Sequence, residues 1–243
     1  MQNEWLQRTE LLIKTKGIKK LQKANILVIG LGGVGSFATE FLVRSGIGKI
    51  TIIDGDSIDI TNINRQLPAL NSTIGIPKTE VISKRILDIN PNIHLTAINE
   101  FLIPERMEEI LTNEKFDYVL DCIDSVSPKL ALIRTCKKHK IKLISAMGAG
   151  GKSDPSKVLV RDISKTNNCF LAKQIRKQLR KENIHKGFRC VFSTEIQDEC
   201  SLKLTDGSNF KKSFYGTISY MPAIFGLYAA AEVIQFLLKK NEN

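Results

Sequence analysis

From residue 24 onward the chain alternates apolar runs with amphipathic stretches. The apolar run ANILVIG is followed by a glycine turn, LGGVGS, by a helix-like stretch, FATEFLVRS, and by a second apolar run, KITIID. Such alternation predicts βαβ units around a parallel sheet, because a helix must return the chain across the sheet before the next parallel strand can begin. The pattern therefore predicts an α/β fold.

Further apolar runs predict strands at 93–98, 118–123 and 142–145, and amphipathic stretches predict helices at 79–88 and 128–139. About five α/β steps thus occupy residues 20–150, as in a Rossmann-like, mostly parallel sheet with flanking helices. Beyond residue 151 we expect a loop and a strand, a basic helix at 171–181 and a final packing helix at about 222–240. Because that last helix is apolar enough to pack on the sheet, we expect residues 1–243 to form a single domain, in which 151–243 is the substrate-facing segment.

Charge adds a second pattern to this fold. The chain has 243 residues, 42% hydrophobic and 25% charged, which is typical of a globular protein and excludes disordered, collagenous and disulfide-scaffold classes. Its net charge is +11, and eight basic residues against one acid lie between Lys165 and Cys190. Most of the excess charge is therefore local, and it leaves RNA, a membrane surface and a nucleotide phosphate open as partners.

Neither a targeting segment nor a metal framework is expected. The first residues, MQNEWLQRTE, do not resemble a secretory signal, and the most apolar segment, 221–238, is interrupted by Pro222, Glu232 and Gln235. We therefore expect a soluble, cytoplasmic protein without a membrane span. The five cysteines include no C-x-x-C pair, which favours reduced thiols over disulfides or zinc. Cys190 is the best-placed thiol, but a buried structural role is favoured for it.

The glycine turn carries the first candidate chemistry. Gly30, Gly32 and Gly35 form G-x-G-x-x-G between a predicted strand and a predicted helix, and Asp54 ends the next strand. Glycines allow close backbone approach, the helix start offers unpaired N–H groups to phosphate, and the acid can bind ribose hydroxyls. This motif alone fits an NAD or FAD dehydrogenase as well as any other nucleotide use.

Two cations and a further acid favour ATP. Arg65 and Lys78 follow Asp54 within about 25 residues, and they are cations that a dehydrogenase binding a pyrophosphate would not need here. Asp124, in DCIDS, follows a strand where open α/β sheets place their ligand crevice, and a carboxylate there suits Mg²⁺. Asp121, within the strand, is the weaker metal candidate.

The segments GLGGVGS, TIIDGDSIDITNINRQ, GIPKTE and DCIDS together resemble the ubiquitin-activating-type adenylating enzymes, which form acyl-adenylates from a carboxylate and ATP. The resemblance implies catalytic roles for Arg65, Lys78 and Asp124, with Mg²⁺ on Asp124, and for Arg8, supplied by the partner subunit of a homodimer. It also implies a set of ATP-binding residues: Gly30, Gly32, Gly33, Gly35, Asp54, Asp56, Asn62, Asn64, Arg65, Gln66 and Lys78.

Later segments narrow the resemblance. SAMGAGGKSDPSKVLVRDISKT, RCVFSTE and GTISYMPAIFGLYAAAEVI resemble the tRNA threonylcarbamoyladenosine dehydratases. That resemblance implies ATP-dependent activation of the threonyl carboxylate of N6-threonylcarbamoyladenosine in tRNA, followed by ring closure with release of AMP. It also suggests that the basic helix binds tRNA phosphates, through Lys173, Arg176, Lys177, Arg180 and Lys181.

Three other functions stay open from the sequence. An adenylating enzyme for a ubiquitin-like sulfur-carrier protein is the second hypothesis, although such enzymes typically carry two C-x-x-C pairs that are missing here. A noncatalytic, nucleotide-dependent RNA-binding module is the third, and a dehydrogenase is the fourth. A cysteine desulfurase or a sulfur acceptor is a further candidate partner.

Overall fold

A seven-stranded sheet runs through the centre of the protein, in a computed structural model that describes residues 4–204 and 213–239. Its strands are β1 (Asn25–Ile29), β2 (Lys49–Ile53), β3 (His94–Ile98), β4 (Tyr118–Asp121), β5 (Leu143–Ala146), β6 (Val158–Asp162) and β7 (Arg189–Ser193). They lie in the order β3-β2-β1-β4-β5-β7-β6, and every neighbouring pair is parallel except β6 and β7. The predicted α/β class with a mostly parallel sheet is confirmed.

Besides the central sheet, the described residues form seven α-helices and a small second sheet. The helices are α1 (Gln7–Lys23), α2 (Gly35–Arg44), α3 (Lys78–Ile89), α4 (Pro104–Asn113), α5 (Val126–Lys138), α6 (Phe170–Arg180) and α7 (Tyr220–Lys239). The small sheet pairs β8 (Leu202–Leu204) with β9 (Ser213–Tyr215) in antiparallel fashion. The predicted helices at 79–88, 128–139 and 171–181 correspond to α3, α5 and α6, with their ends shifted by one or two residues.

Both faces of the central sheet are covered, as the alternation along β1 shows. Ile26 and Val28 belong to a core formed with α1, α2, α3 and α7, whereas Leu27 and Ile29 belong to a second core formed with α4, α5 and α6. Successive side chains of a strand point to opposite faces, so a strand with a core on either side must be apolar throughout. This explains why inner strands such as β1 are continuous apolar runs in the sequence.

Helix α7 crosses the start of α2 at close range. A Cβ added at Gly226 of α7 would lie 2.4 Å from the carbonyl oxygen of Val34, just before α2, so the two backbones touch where a larger side chain would separate them. Pro222, in the first turn of α7, lies against Gly33 in the same way. The C-terminal helix therefore packs over the turn that joins β1 to α2 and fixes the position of that turn.

The expectation that no segment is apolar enough to span a membrane needs correction for α7. By length and composition alone this helix is long and apolar enough, with a mean hydropathy of 1.6. Pro222 lies in its first turn, where proline is tolerated, and Glu232 is paired with Arg189 at 2.9 Å, so neither interrupts the helix. Its buried residues, among them Met221 and Phe225, pack in the sheet core, as those of a core helix do.

Candidate active site

Two glycines of the β1–α2 turn are required by the packing of the turn itself. Gly30 has a φ of +91°, in the left-handed region, and a Cβ there would lie 2.8 Å from the carbonyl oxygen of Cys122. A Cβ at Gly35 would lie 1.7 Å from the carbonyl oxygen of Gly30. The turn can therefore close only with glycine at both positions, and it directs the first N–H groups of α2 toward the carboxyl edge of the sheet.

The other two glycines border the space in front of this turn. The nearest atom to a Cβ at Gly32 would be the amide nitrogen of Gln66, at 3.6 Å, whereas a Cβ at Gly33 would meet Pro222 at 2.9 Å. Gln66 is buried, and its Oε1 has no hydrogen-bond partner among the described residues. A buried oxygen without a partner beside an open glycine backbone fits a site that a polar ligand completes.

Asp54 is held at the end of β2 by backbone donors on both of its oxygens. Its Oδ2 accepts from the N–H of Leu31 at 2.6 Å and its Oδ1 from the N–H of Asp56 at 2.8 Å. Burial raises the pKa of the Asp54 carboxyl, and the nearby ammonium of Lys78 opposes that rise. The side chain is thus fixed beside the glycine turn, in the position from which an acid binds ribose hydroxyls.

Lys78 begins α3 with its ammonium group buried in the site. Its Nζ lies 2.7 Å from Asp56 Oδ2 and 4.0 Å from Asp54 Oδ1. Asp56 is half exposed, so this pair stands at the solvent edge of the site. Because the ammonium has three N–H donors, it can bind a phosphate in place of Asp56 or together with it. The structure therefore brings together three residues predicted for nucleotide binding.

The segment from 59 to 66 presents its polar side chains in two different ways. The Oδ1 of Asn62 accepts from the N–H of Asp59 at 3.3 Å, so its side chain stabilises its own turn. The guanidinium of Arg65 donates to the carbonyl oxygen of Thr61 at 2.8 Å and to Asn64 Oδ1 at 2.9 Å. Asn64 thus orients Arg65, whereas the contacts of Asn62 are local.

Arg65 and Asp124 place opposite charges across the site. Burial lowers the pKa of the Arg65 guanidinium, and the charge of Asp124 acts in the opposite direction. Asp124 is exposed in the turn between β4 and α5, where the hydroxyl of Ser125 donates to it at 3.4 Å. No cluster of three His, Cys, Asp or Glu side chains suited to a metal occurs in the described part of the chain. One carboxylate suits Mg²⁺ when phosphate oxygens complete the coordination, so Asp124 fits that role.

Asp121, the weaker metal candidate, is engaged in a buried ion pair instead. Its Oδ2 lies 2.8 Å from Nζ of Lys129, and both side chains are fully buried. The same ammonium donates to Ser145 Oγ at 3.1 Å and to the carbonyl oxygen of Ala146 at 2.9 Å. Asp121 Oδ1 accepts from the N–H of Ile123 at 3.1 Å. Lys129, which the sequence analysis did not predict, therefore links the end of β4, just before the turn that carries Asp124, to the end of β5.

A second buried lysine anchors the glycine-rich loop at residues 148–152. Lys152 Nζ donates to the carbonyl oxygens of Ser193 at 2.8 Å and Asn168 at 3.3 Å, and burial lowers its pKa. Gln197, also buried, donates to the carbonyl oxygen of Gly150 at 3.0 Å and accepts from the N–H of Phe170 at 3.3 Å. These two side chains join the loop to the start of α6.

Helix α6 exposes four of its five predicted tRNA-binding cations. Its apolar side, with Ile175, packs in the core. Arg176 is half buried and donates to Thr166 Oγ1, so its guanidinium is bonded within the protein and is not part of the exposed face of the helix. The exposed cations repeat at spacings of three and four along one side of the helix, which we call the basic stripe: Lys173, Lys177, Arg180 and Lys181.

Arg8 lies exposed in the first turn of α1, beside strongly exposed apolar side chains. Leu11 and Leu12, one turn further along, are 75% and 82% exposed. Such residues in a surface helix point to a contact with another molecule.

The thiols divide into buried and exposed groups. Burial raises the pKa of Cys122 and of Cys136 to about 12, and it raises the pKa of Cys190 well above its ordinary value. Cys200 is exposed.

Known proteins resemble this chain in sequence and in fold along nearly its full length. The tRNA threonylcarbamoyladenosine dehydratase of Bacillus subtilis is 40% identical over 242 residues, covering 97% of this chain and 95% of the relative. That of Haemophilus influenzae is 43% identical, covering 92% and 89%. The Escherichia coli enzyme TcdA, solved in complex with ATP, superposes with a TM-score of 0.87 at 36% identity, covering 97% of this chain and 94% of that one. The family model described as "ThiF family" matches residues 6–243.

The chain belongs to the ThiF family. Within it, the chain belongs to the tRNA threonylcarbamoyladenosine dehydratases, because these relatives match it along nearly its full length. By contrast, the molybdopterin-synthase adenylyltransferase of Haemophilus influenzae is 35% identical but covers only 61% of this chain. The resemblance expected from the sequence is confirmed, and it is favoured over the sulfur-carrier alternative.

Proposed function

We propose that this chain uses ATP to adenylate the threonyl carboxylate of N6-threonylcarbamoyladenosine in tRNA. The ureido group then attacks the acyl-adenylate, the ring closes and AMP leaves, so that the nucleoside loses one water. The observation that carries this proposal is the connection of two surfaces: Gln197 bonds both the loop at 148–152 and the first residue of the basic helix α6. A nucleotide site and a cationic RNA surface thereby share one edge of the sheet.

The chemistry needs positioning and charge more than a protein nucleophile. A threonyl carboxylate is already ionised at neutral pH and needs no general base. The glycine turn and the start of α2 would hold phosphates, and Asp54 would hold the ribose. Arg65 and Lys78 would offset the charge that develops on the α-phosphate and on the leaving pyrophosphate. Mg²⁺, held by Asp124 and phosphate oxygens, would supply further charge stabilisation.

A homodimer would complete the site with Arg8 of the partner subunit. Support comes from exposed apolar side chains on three segments, α1, 60–74 and α7, which a second copy could bury. They include Leu11, Leu12, Ile60, Ile63, Leu70, Leu227 and Tyr228. The subunits would then act as a pair at each site.

The basic stripe of α6 would bind tRNA phosphates without reading sequence. Its four cations are different residues from Arg65 and Lys78, so RNA and ATP would be bound by separate cations. A tRNA substrate places the enzyme in the cytoplasm in this proposal. If a cysteine desulfurase or another sulfur-transfer partner acts on this chain, it would reach Cys200, the exposed thiol of the described residues.

The test is a single-turnover reaction with purified chain, ATP, Mg²⁺ and tRNA that carries threonylcarbamoyladenosine. Nucleoside mass spectrometry should show a product lighter by one water, with one AMP released per product. Unmodified tRNA is the matched control and should give neither. If modified tRNA is bound but stays unchanged while a ubiquitin-like sulfur carrier triggers pyrophosphate release, the sulfur-carrier function replaces this one.

A further inference from the structure

The small sheet of β8 and β9 lies directly against the loop at 148–152. A Cβ at Gly150 would meet Tyr215 Cβ at 2.9 Å, and a Cβ at Gly151 would meet the Tyr215 ring at 3.0 Å. The N–H of Gly151 donates to the carbonyl oxygen of Gly216 at 2.8 Å. The loop at the edge of the nucleotide site therefore packs against Tyr215 on one face of the small sheet, while Leu202 and Leu204 on the same face stay exposed.

The same segment also reaches the other side of the site. The Nδ2 of Asn64 donates to the carbonyl oxygen of Thr217 at 2.9 Å, and Asn64 is the residue that orients Arg65. The small sheet is thus placed between the loop at 148–152 and the segment that carries the catalytic guanidinium. A molecule that delivers its carboxylate to this site must pass close to the small sheet.

The opposite face of the small sheet also presents exposed side chains. Phe214 comes directly before Tyr215 in β9, and successive side chains of a strand point to opposite faces. The Phe214 side chain therefore points away from the loop, and its ring is 43% exposed. Directly across the strand pair stands Lys203, which is also exposed. An aromatic ring and a cation as cross-strand neighbours on an outward face are a combination suited to nucleotides, since a base stacks on the ring while the cation meets the phosphate.

A second exposed ring lies at the start of the basic helix α6. Phe170, the first residue of α6, is 45% exposed, and its N–H is bonded to Gln197. Ile196, next to Gln197, is 78% exposed. The apolar side chains therefore lie at the end of α6 that is nearest the site, and the cations of the stripe extend away from it.

Two nearby carboxylates accept hydrogen bonds from backbone N–H groups, and a third, Glu199, is exposed. Both oxygens of Glu195 accept from the N–H of Ser153, at 3.0 and 3.1 Å, and one also accepts from the N–H of Asp154 at 2.8 Å. Asp198 accepts from the N–H of Cys200 at 3.0 Å. Backbone dipoles thus offset part of the charge of Glu195 and Asp198, while Lys203 and the stripe supply the cations that a polyanion contacts.

We propose that Phe214, Lys203 and Phe170 bind unpaired nucleotides of the tRNA loop that carries the modified adenosine. This inference rests on the proposed function. Phosphate contacts along α6 hold the helical stem, whereas stacking on exposed rings holds the bases that flank the reacting nucleoside. The small sheet then determines which nucleoside of the tRNA reaches the ATP.

The test compares Phe214→Ala with Phe214→Tyr for binding of modified tRNA, measured by fluorescence anisotropy over a range of salt concentrations. Loss of stacking on one base should weaken binding about five- to a hundredfold, with the salt slope unchanged, and Phe214→Tyr should bind as the native chain does. Lys203→Gln should instead flatten the slope by about 0.7, the value for one single-strand phosphate. ATP affinity should be unchanged in all three variants.

Native-like tRNA affinity of Phe214→Ala would overturn the inference. If light scattering shows that Phe214→Ala loses a dimer while its tRNA affinity per subunit is unchanged, a second copy covers the small sheet and the inference is also overturned. Because binding is measured without turnover, failure of the proposed function, seen as unchanged modified nucleoside with the native chain, is a separate result.

Discussion

Replacement of Lys129 by methionine tests how much the buried ion pair contributes. Methionine has a similar length and fills the same apolar channel, so the change removes the ammonium group and leaves little cavity. Asp121 then stays fully buried with its charge uncompensated, and Ser145 and the carbonyl oxygen of Ala146 lose a donor. Removal of one partner of a buried pair costs about 3–5 kcal/mol.

For a chain of this size, each kcal/mol lowers the melting temperature by about 2–4 °C, so Lys129→Met should melt about 6–20 °C below the native chain. Circular dichroism during heating, in the absence of ATP, gives the measurement. Lys84→Met is the matched control, because Lys84 pairs with Glu80 on the surface of α3. Such exposed pairs contribute about 0.5 kcal/mol or less, so the control should stay within about 2 °C of the native chain.

A second substitution separates the buried charge from general damage to the core. Asp121→Asn in the Lys129→Met background removes the uncompensated charge and keeps an oxygen that can accept from the N–H of Ile123. The double variant should recover much of the lost stability, since the pair is then neutral on both sides. If Lys129→Met melts like Lys84→Met, or if the double variant is no more stable than Lys129→Met, the reasoning is wrong.

Three further predictions concern the proposed reaction. Asp124→Asn should keep the fold and lose most pyrophosphate release, by about 100-fold or more, since Mg²⁺ loses its carboxylate; near-normal release from the folded variant would exclude the metal role. Mixed dimers of Arg8→Ala and Asp124→Asn chains should contain one intact site and exceed both parents in activity, whereas no gain in proven heterodimers would place Arg8 elsewhere. Replacement of the four cations of the basic stripe by glutamine should flatten the salt dependence of tRNA binding by about three to four units and leave ATP affinity unchanged, and an unchanged slope would place the tRNA on another surface.

The first five strands and the nucleotide motif were predictable because both follow from local sequence. A strand with a core on each face is an uninterrupted apolar run, and the spacing of Gly30 and Gly35 is set by a steric contact between neighbouring residues of one turn. No comparable apolar pattern in the sequence predicts helices α1 and α4. Leu11 and Leu12 of α1 are exposed rather than buried, so the apolar pattern of that helix does not follow the core.

The supporting residues of the site were not predictable, for a related reason. Lysine is normally a surface residue, and the partners that keep Lys129 buried come from two strands, β4 and β5. Arg176 shows the converse: helical spacing places it beside exposed cations, but its guanidinium reaches Thr166 and becomes half buried. Pairings between distant parts of the chain decide such cases, and spacing within one helix does not contain them.

The anchoring of the 148–152 loop limits how this protein can be recombined with its relatives. Lys152 and Gln197 lie 45 positions apart in the sequence, yet both clamp the loop to the first residues of α6. A chimera that exchanged α6 alone would keep the helix but could lose the hydrogen bonds that join its start to the loop, because the side chains that make them would come from the other parent. Crossover points placed before residue 148 and after residue 198 would instead transfer the loop, the helix and both anchoring side chains together.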